Sequence, residues 1–339
     1  CALPISQQSL DFSLRLLQRW SLLGNDHTIT AKGKVVAQMP LHPRWGNFLL
    51  SLKSLDDKDR ATGIAITAML NDIDVFRKVK PDEFIDGQGD CDVTNHLEIM
   101  MSSRHRYERI HKSKQDLSRR LHSQSSEICL PLSDDLKMQL IKTFSDRLVQ
   151  RREERSLRGL MVGGKGIALD ASSHCREAKY FLAIHMQEVE SQSGELKVRW
   201  AMPVEETLIQ SALKESFQEK TKLYMDAKGF IRKEKQTEYD GLAFGNPILL
   251  PLAESDKSGF LLQAIQADPW SFFHQTENFP DWWKRVEFLR LRRTDLPWIQ
   301  WDPNAILTLI EHWVYGEVQL SGVLKKSPIP FFTAHWSRE

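Results

Sequence analysis

The sequence predicts an α+β multidomain protein, and three observations carry that prediction. From Ser6 to Gln150 apolar residues recur at helical spacing. From Leu157 to Leu252 they alternate in short segments between glycine-containing turns, as strands do. Helical spacing then returns, and seven of the ten tryptophans lie between Trp270 and Trp336. At 339 residues the chain is longer than one core ordinarily fills, so two or three domains are expected.

Composition narrows the function classes. A hydrophobic share of 41% with 27% charged residues fits a globular protein. With a net charge of +1, any nucleic-acid surface must come from local clusters of cations. Cys1, Cys91, Cys129 and Cys175 stand far apart and form no CxxC pair. That pattern argues against a zinc site or a disulfide framework and suits a reducing, cytoplasmic setting. No stretch approaches the roughly 18 apolar residues of a membrane span, so no membrane partner is expected. The chain begins at Cys1 rather than Met, which reads as a fragment.

Ser6–Trp20 predicts an amphipathic helix with Leu10, Phe12, Leu14, Leu16 and Leu17 toward the core. Asn25-Asp26 permits a reversal, and His27–Ile29 is a short extended piece. Thr30 is placed to cap a helix from Ala31 to Gln38, with Val35 and Val36 on its buried side. Pro40 and Pro43 end that helix, because the residue before a proline is pushed out of the α region. Helix, turn, extended piece, helix and extended exit describe a winged-helix-like unit over residues 1–48. A helical bundle follows over 49–125. Trp45–Leu55 is a helix that leads into it, and Asp56-Asp57 caps a close-packing helix, Lys58–Leu70, that carries Ala61, Ile64, Ala65 and Ala68. Lys78–Asp92 reads as a loop, and Val93–His122 as one long helix. Between Arg104 and Arg120 that helix carries seven Lys/Arg against Glu108 and Asp116, a net +5. Such a face either contacts phosphate or is merely solvated.

Ser123–Ser126 is the expected first linker, and Pro131–Gln150 is again helical, with Ser133 or Asp134 as cap. The segment Asp146–Arg158 sets five arginines against three acids, and arginine suits bidentate phosphate contact. Expected strands are Gly159–Val162, Gly166–Leu169, Tyr180–Glu188, Lys197–Pro203, Leu223–Asp226, Phe230–Tyr239 and Leu242–Leu252. Turns are expected at Glu190–Glu195 and Asp226–Gly229, and one helix at Val204–Ser216. These segments describe an OB-like β-barrel with a leading helix over 126–253. A partial C-terminal helical domain completes the chain over 254–339. Its tryptophans, interleaved with Lys284, Arg285, Arg290, Arg292 and Arg293, are either core packing or base-stacking platforms.

Three stretches resemble a known family. Thr30, Gly33, Ala37, Pro40, Pro43 and Arg44 match the T-x-x-G-x-x-x-A-x-x-P-x-x-P-R signature that follows the motor domains of DEAH-box helicases. Phe144, Asp146, Arg147, Leu148, Arg151 and Arg152 resemble the F-x-D-R-[IL]-x-x-R-R of the bacterial HrpB-type branch. Arg285, Phe288, Leu289 and Arg290 resemble its R-x-x-F-L-R. The resemblance covers nearly the whole chain but only the post-motor half of such a helicase. It implies a ratchet-like bundle touching a single strand, an OB-like domain closing over its exit, and a C-terminal extension within which the chain stops. One departure stands out: the family commonly reads L-x-E-R-D where this chain has Leu70-Asn71-Asp72-Ile73-Asp74. Ile73 replaces the arginine, so no role of that arginine carries over.

Catalytic motifs are sought in vain. Gly159–Gly166 matches G-x4-G-K, but Gly166 stands where Ser or Thr must bind magnesium, and a hairpin turn is the better reading. There is no D-E-A-H, HExxH or GxSxG, and His105, His111 and His174 show no evident acid or nucleophile partner. No cofactor is expected in this chain. ATP and Mg2+ belong, by the resemblance, to motor domains preceding Cys1, and the chain is expected to be inactive by itself. The expected partners are those motor domains and single-stranded RNA, with DNA left open. The candidates for contact with the strand's backbone are Arg44, Arg104, Arg106, Arg109, Arg147, Arg151, Arg152 and Arg155. Two alternatives are a protein-docking module and a DNA-binding regulator. The regulator would read bases from Ala31–Gln38, which offers only Lys32, Lys34 and Gln38.

Overall fold

In the computed structural model, residues 6–78, 91–188, 196–296, 298, 301–317 and 319–336 are described. Helix α1 (Gln7–Arg19) begins where Ser6 accepts a hydrogen bond from the Ser9 N–H. Its last turns meet a small core of Trp20, Leu22 and Val36 through Leu16 and Leu17. Leu10 and Phe12, expected inside, are 43% and 49% exposed, because among the described residues nothing covers them. The reversal forms as expected, with Asp26 accepting from Thr28 and a bridge pairing Leu23 with Ile29.

Thr30 caps α2 (Ala31–Ala37) by accepting from the Gly33 N–H. Val36 is buried, but Val35 is 45% exposed: the helix has one apolar edge rather than two. Gly33 lies so close to the preceding segment that a Cβ there would sit 2.2 Å from the Leu22 carbonyl oxygen. Pro43 starts α3 (Pro43–Ser51), and Asp56 caps α4 (Asp57–Asn71). Ala61, Ile64, Ala65 and Ala68 of α4 are fully buried.

The expected helix over Val93–His122 is two helices, α5 (Asp92–Ser102) and α6 (Glu108–Arg120). No proline or glycine marks the break. Tyr107 makes it: its ring is 1% exposed and stacks on Phe76 with centroids 4.8 Å apart. The expected helix over Pro131–Gln150 is also shorter. Ser133 caps α7 (Asp134–Thr143), and Leu148–Arg151 is strand β1. Extended pairing wins there because β1 has a neighbour on each side.

Strands β1, β2 (Arg158–Met161), β3 (Lys165–Leu169), β4 (Tyr180–Glu188) and β5 (Leu196–Val204) close a barrel in the order β1-β2-β3-β5-β4. β3 and β5 run parallel; the other pairs are antiparallel. The phosphate-loop look-alike is the β2–β3 hairpin, turned by Gly163 and Gly164 at φ +80° and +79°, where glycine carries no steric cost. Helix α8 (Glu206–Ala212) follows, and then a sheet of order β6-β7-β8 (Gln218–Met225, Ile231–Tyr239, Leu242–Leu250). Asp226–Gly229 turns between β6 and β7 as expected, with Gly229 at φ +79°.

The remaining helices are α9 (Glu254–Ala267), α10 (Pro269–His274), α11 (Phe279–Arg292), α12 (Pro303–Val314), α13 (Leu320–Lys325) and α14 (Ile329–Trp336). Two compact units result: Cys1–Gln218 with Glu238–Phe244, and Glu219–Thr237 with Gly245–Glu339. In the first, one continuous core runs from Trp45 through the helices into the barrel. In the second, the core gathers Leu261, Ile265, Phe273, Phe279, Trp313 and Phe332. The loop expected between Lys78 and Asp92 centres on residues 79–90, and the turn expected at Glu190–Glu195 on 189–195; both lie outside the described residues. Among the described residues, no helix is long and apolar enough to cross a membrane.

Candidate nucleic-acid interface

The candidate arginines divide by burial. Arg44 is 4% exposed, so it stands in the core rather than on a surface that could face a strand. It grips both oxygens of Asp146 at 2.7 and 2.8 Å and donates to the Thr143 carbonyl at 2.6 Å. Its guanidinium lies over the rings of Trp20 and Phe144, 4.9 and 4.8 Å from their centroids. The Thr30–Arg44 and Phe144–Arg152 motifs therefore meet in one buried ion pair. A planar, always-charged fork suits that site as lysine would not.

Arg147, beside this pair, donates to the Ile184 carbonyl at 3.3 Å and leaves 29% of its side chain exposed. Burial and the neighbouring Arg44 push its pKa down to about 10. Arg151 is 7% exposed, and its guanidinium donates to the carbonyls of Ala178, Ser156 and Cys175. It too is built into the protein. Arg152 and Arg155 are exposed on the loop between β1 and β2.

The second group sits around the α5–α6 break. Arg104, His105 and Arg106 are exposed on the turn that buried Tyr107 anchors. Arg109 is 83% exposed and pairs with Asp72 at 2.8 Å. Farther along α6, Lys112 pairs with Glu108 at 2.8 Å and Arg119 with Asp116 at 3.1 Å. Part of the basic run is thus matched by acids, while Arg104 and Arg106 on the turn and Arg120 at the end of α6 are exposed. Exposed pairs of this kind are weak and salt-sensitive, so a phosphate can compete for their cations.

Between the loop at 152–155 and residues 177–179 lies a cleft of about 560 Å³. Arg152, Arg155 and Lys179 line it together with Glu153, Glu154 and Glu177. Lys179 also pairs with Glu206 at 3.1 Å. Lys179 and Glu177 escaped the sequence reading, because they stand 27 and 25 positions from Arg152 with no local cluster to flag them.

Asp92 was missed as well. It is 3% exposed, and its carboxylate accepts from the Ser173 hydroxyl at 2.6 Å and from the His174 and Ala201 backbone N–H groups at 2.8 Å each. It ties α5 to the barrel, and the His174 ring lies 3.3 Å from it. Cys91 and Cys175 are buried, and burial pushes the Cys91 thiol up to about 11. Among the described residues, no cluster of three or more His, Cys, Asp or Glu could hold a metal ion.

The C-terminal aromatics pack on one another. Phe332 is fully buried and meets Trp301 at 4.6 Å and Phe273 at 5.2 Å, while Trp270 meets Trp283 at 4.9 Å. These rings form a core, and the base-stacking alternative loses them. The C-terminal end of α11 differs: Phe288, Leu289 and Leu291 are 57%, 49% and 78% exposed.

No protein-family model matches the sequence, and no curated protein matches it. Solved structures do match the fold. A crystal structure of the Escherichia coli DExH-box NTPase HrpB aligns with 97% of this chain and 38% of its own, at a TM-score of 0.56 and 19% identity. A second structure of HrpB, described as an Escherichia coli DEAH/RHA helicase, aligns with 98% of this chain and 39% of its own, at 0.55 and 19%. The chain therefore spans well under half the length of the proteins whose fold it shares.

Proposed function

We propose that the chain is the accessory C-terminal region of an ATP-dependent helicase of HrpB type, and that it contacts single-stranded nucleic acid, with RNA favoured over DNA. The observation that carries this reading is the alignment of 97% of the chain with 38% of HrpB, a fold-level analogy that the three sequence motifs strengthen. On this reading residues 1–48 act as a winged-helix-like unit, 49–125 as a ratchet-like bundle, 126–253 as an OB-like domain and 254–339 as part of a C-terminal helical domain. The barrel order, with β3 parallel to β5, supports the OB-like assignment. ATP and Mg2+ are handled by motor domains outside this sequence, in the cytoplasm, while this region walls the strand's path. The exposed cations of Arg104, Arg106, Arg109, Arg152 and Arg155 meet phosphates. Arg44 and Arg151 hold the scaffold, with Arg147 at its edge.

Fluorescence anisotropy of the chain with labelled single-stranded RNA across a salt series tests this reading. Affinity should fall steeply with salt, and replacing Arg104 and Arg106 by Ala should reduce the slope of log K on log salt by about 1 to 2. A folded protein that binds no RNA at low salt would leave the docking reading in its place. One observation favours that alternative, a protein-docking module: the apolar end of α11 exposed at Phe288, Leu289 and Leu291.

A further inference from the structure

The cleft beside β1 is built from the inside. Arg151 donates through Nε to the Ala178 carbonyl at 2.8 Å and through its two terminal nitrogens to those of Ser156 and Cys175. Its own N–H donates to the Lys179 carbonyl at 2.8 Å. One buried guanidinium thus fixes both the loop that carries Arg152–Arg155 and the segment that carries Glu177 and Lys179. Arg155 is held at φ +59°, a left-handed conformation that arginine rarely adopts, so the loop's shape is imposed rather than relaxed.

The charges on this cleft are mixed. Along the loop they run Arg152, Glu153, Glu154, Arg155, and across from it stand Glu177 and Lys179. A groove that merely tracked phosphates would carry cations alone, since each carboxylate repels the backbone and lowers affinity. Carboxylates only accept hydrogen bonds. The donors a single strand offers them are base amino and ring imino N–H groups and the ribose 2′-hydroxyl, and the 2′-hydroxyl is what separates RNA from DNA.

We propose that this cleft holds a ribonucleotide unit of a single strand, with phosphate on Arg152, Arg155 and Lys179 and the 2′-hydroxyl on the carboxylates of Glu153 and Glu154. Arg151 is the positioning residue that fixes both sides. The proposal rests on the nucleic-acid reading above and adds to it a discrimination of sugar.

Anisotropy with two oligonucleotides of identical sequence, one ribose and one deoxyribose, tests it. The unmodified chain should prefer the ribose strand. Glu153→Ala/Glu154→Ala should lower RNA affinity by about 3- to 10-fold while DNA affinity holds or rises slightly, which brings the two together. Arg152→Ala/Arg155→Ala should weaken both by about 10-fold or more at low salt and flatten the salt dependence. Arg151→Lys keeps the charge but cannot span three carbonyls. It should lower the RNA-to-DNA ratio while circular dichroism stays that of the parent, a change that simple loss of stability would not produce. If the glutamate variant binds both strands more tightly, its carboxylates only repel and the proposal is overturned. It is equally overturned if every cleft variant binds as the parent does, which leaves the broader reading intact. A parent chain that binds neither strand removes both.

Discussion

The first unit buries charged and polar side chains among its aliphatic and aromatic ones, whereas the described interior of the second is almost wholly apolar. Arg44, Asn47, Asp59, Asp92, His96, Asp146 and Arg151 are all below 9% exposure in the first unit. The buried polar side chains described in the second are Gln236 and Thr276, and its interior is Phe273, Phe279, Trp313 and Phe332 with aliphatic neighbours. The difference is one of specificity. A buried ion pair adds little net stability over an apolar pair of the same shape, but it tolerates no wrong partner. Aromatic packing tolerates rearrangement and loses energy gradually. The first unit is therefore expected to fail sharply at single points, and the second to weaken by degrees.

Asp146→Ala is the sharpest way to break that contrast. It strands the Arg44 charge in the core and should cost about 3–5 kcal/mol. The double replacement Arg44→Met/Asp146→Leu, which removes both charges, should recover most of that loss in chemical denaturation. A double variant as unstable as the single one would mean that the surrounding packing, not the stranded charge, sets the cost.

Acid is the next lever, and it acts on the first unit. His96 stacks on Trp200 with centroids 3.7 Å apart, and burial pushes its pKa down from 6.5 to about 4. The unfolded chain takes up this proton as pH falls through 6.5, whereas the folded chain takes it up only near 4. The stability His96 contributes is thus complete above pH 6.5 and is lost progressively as pH drops toward 4, a change on the order of 3 kcal/mol. Denaturation midpoints measured from pH 7 to 4 should show this slope, and His96→Gln should flatten it. Hydrogen exchange followed peptide by peptide should place the acid loss in residues 91–204 and spare 254–336.

In the second unit, Trp313→Phe keeps a ring but removes the Nε1–H that donates to the Lys326 carbonyl at 2.9 Å. The stranded carbonyl and the small void should cost about 1–3 kcal/mol, less than the ion-pair variant of the first unit. At the far end of the scale, Asp295→Ala removes the exposed partner of Arg293 and should leave the melting temperature unchanged.

How much of this was legible in the sequence depended on the range of the interaction. Thr30, Asp56 and Ser133 were readable as caps because a cap bonds a backbone N–H three residues on. Strand β4 was readable along its whole length, and the Gly163-Gly164 hairpin could be separated from a phosphate loop by the missing Ser or Thr at Gly166. The burial of Val35, Leu10 and Phe12 was misjudged, because helical spacing says which residues share a face but not whether anything covers it. The break at Tyr107 and the strand at Leu148 left no local mark. Each is decided by a distant ring or strand, Phe76 in one case and Phe181 with Leu160 and Met161 in the other.

The sequence by itself determined the α+β class, the starts of the capped helices α2, α4 and α7, the turn at Asp226–Gly229, and a basic run net of its acids. All of these rest on groups within a few positions of each other. Only the tertiary structure decided which arginines face water. Arg44 and Arg152 both stand in signature motifs, but Asp146 lies 102 positions from Arg44. A charge is drawn out of solvent only where folding brings such a partner to it.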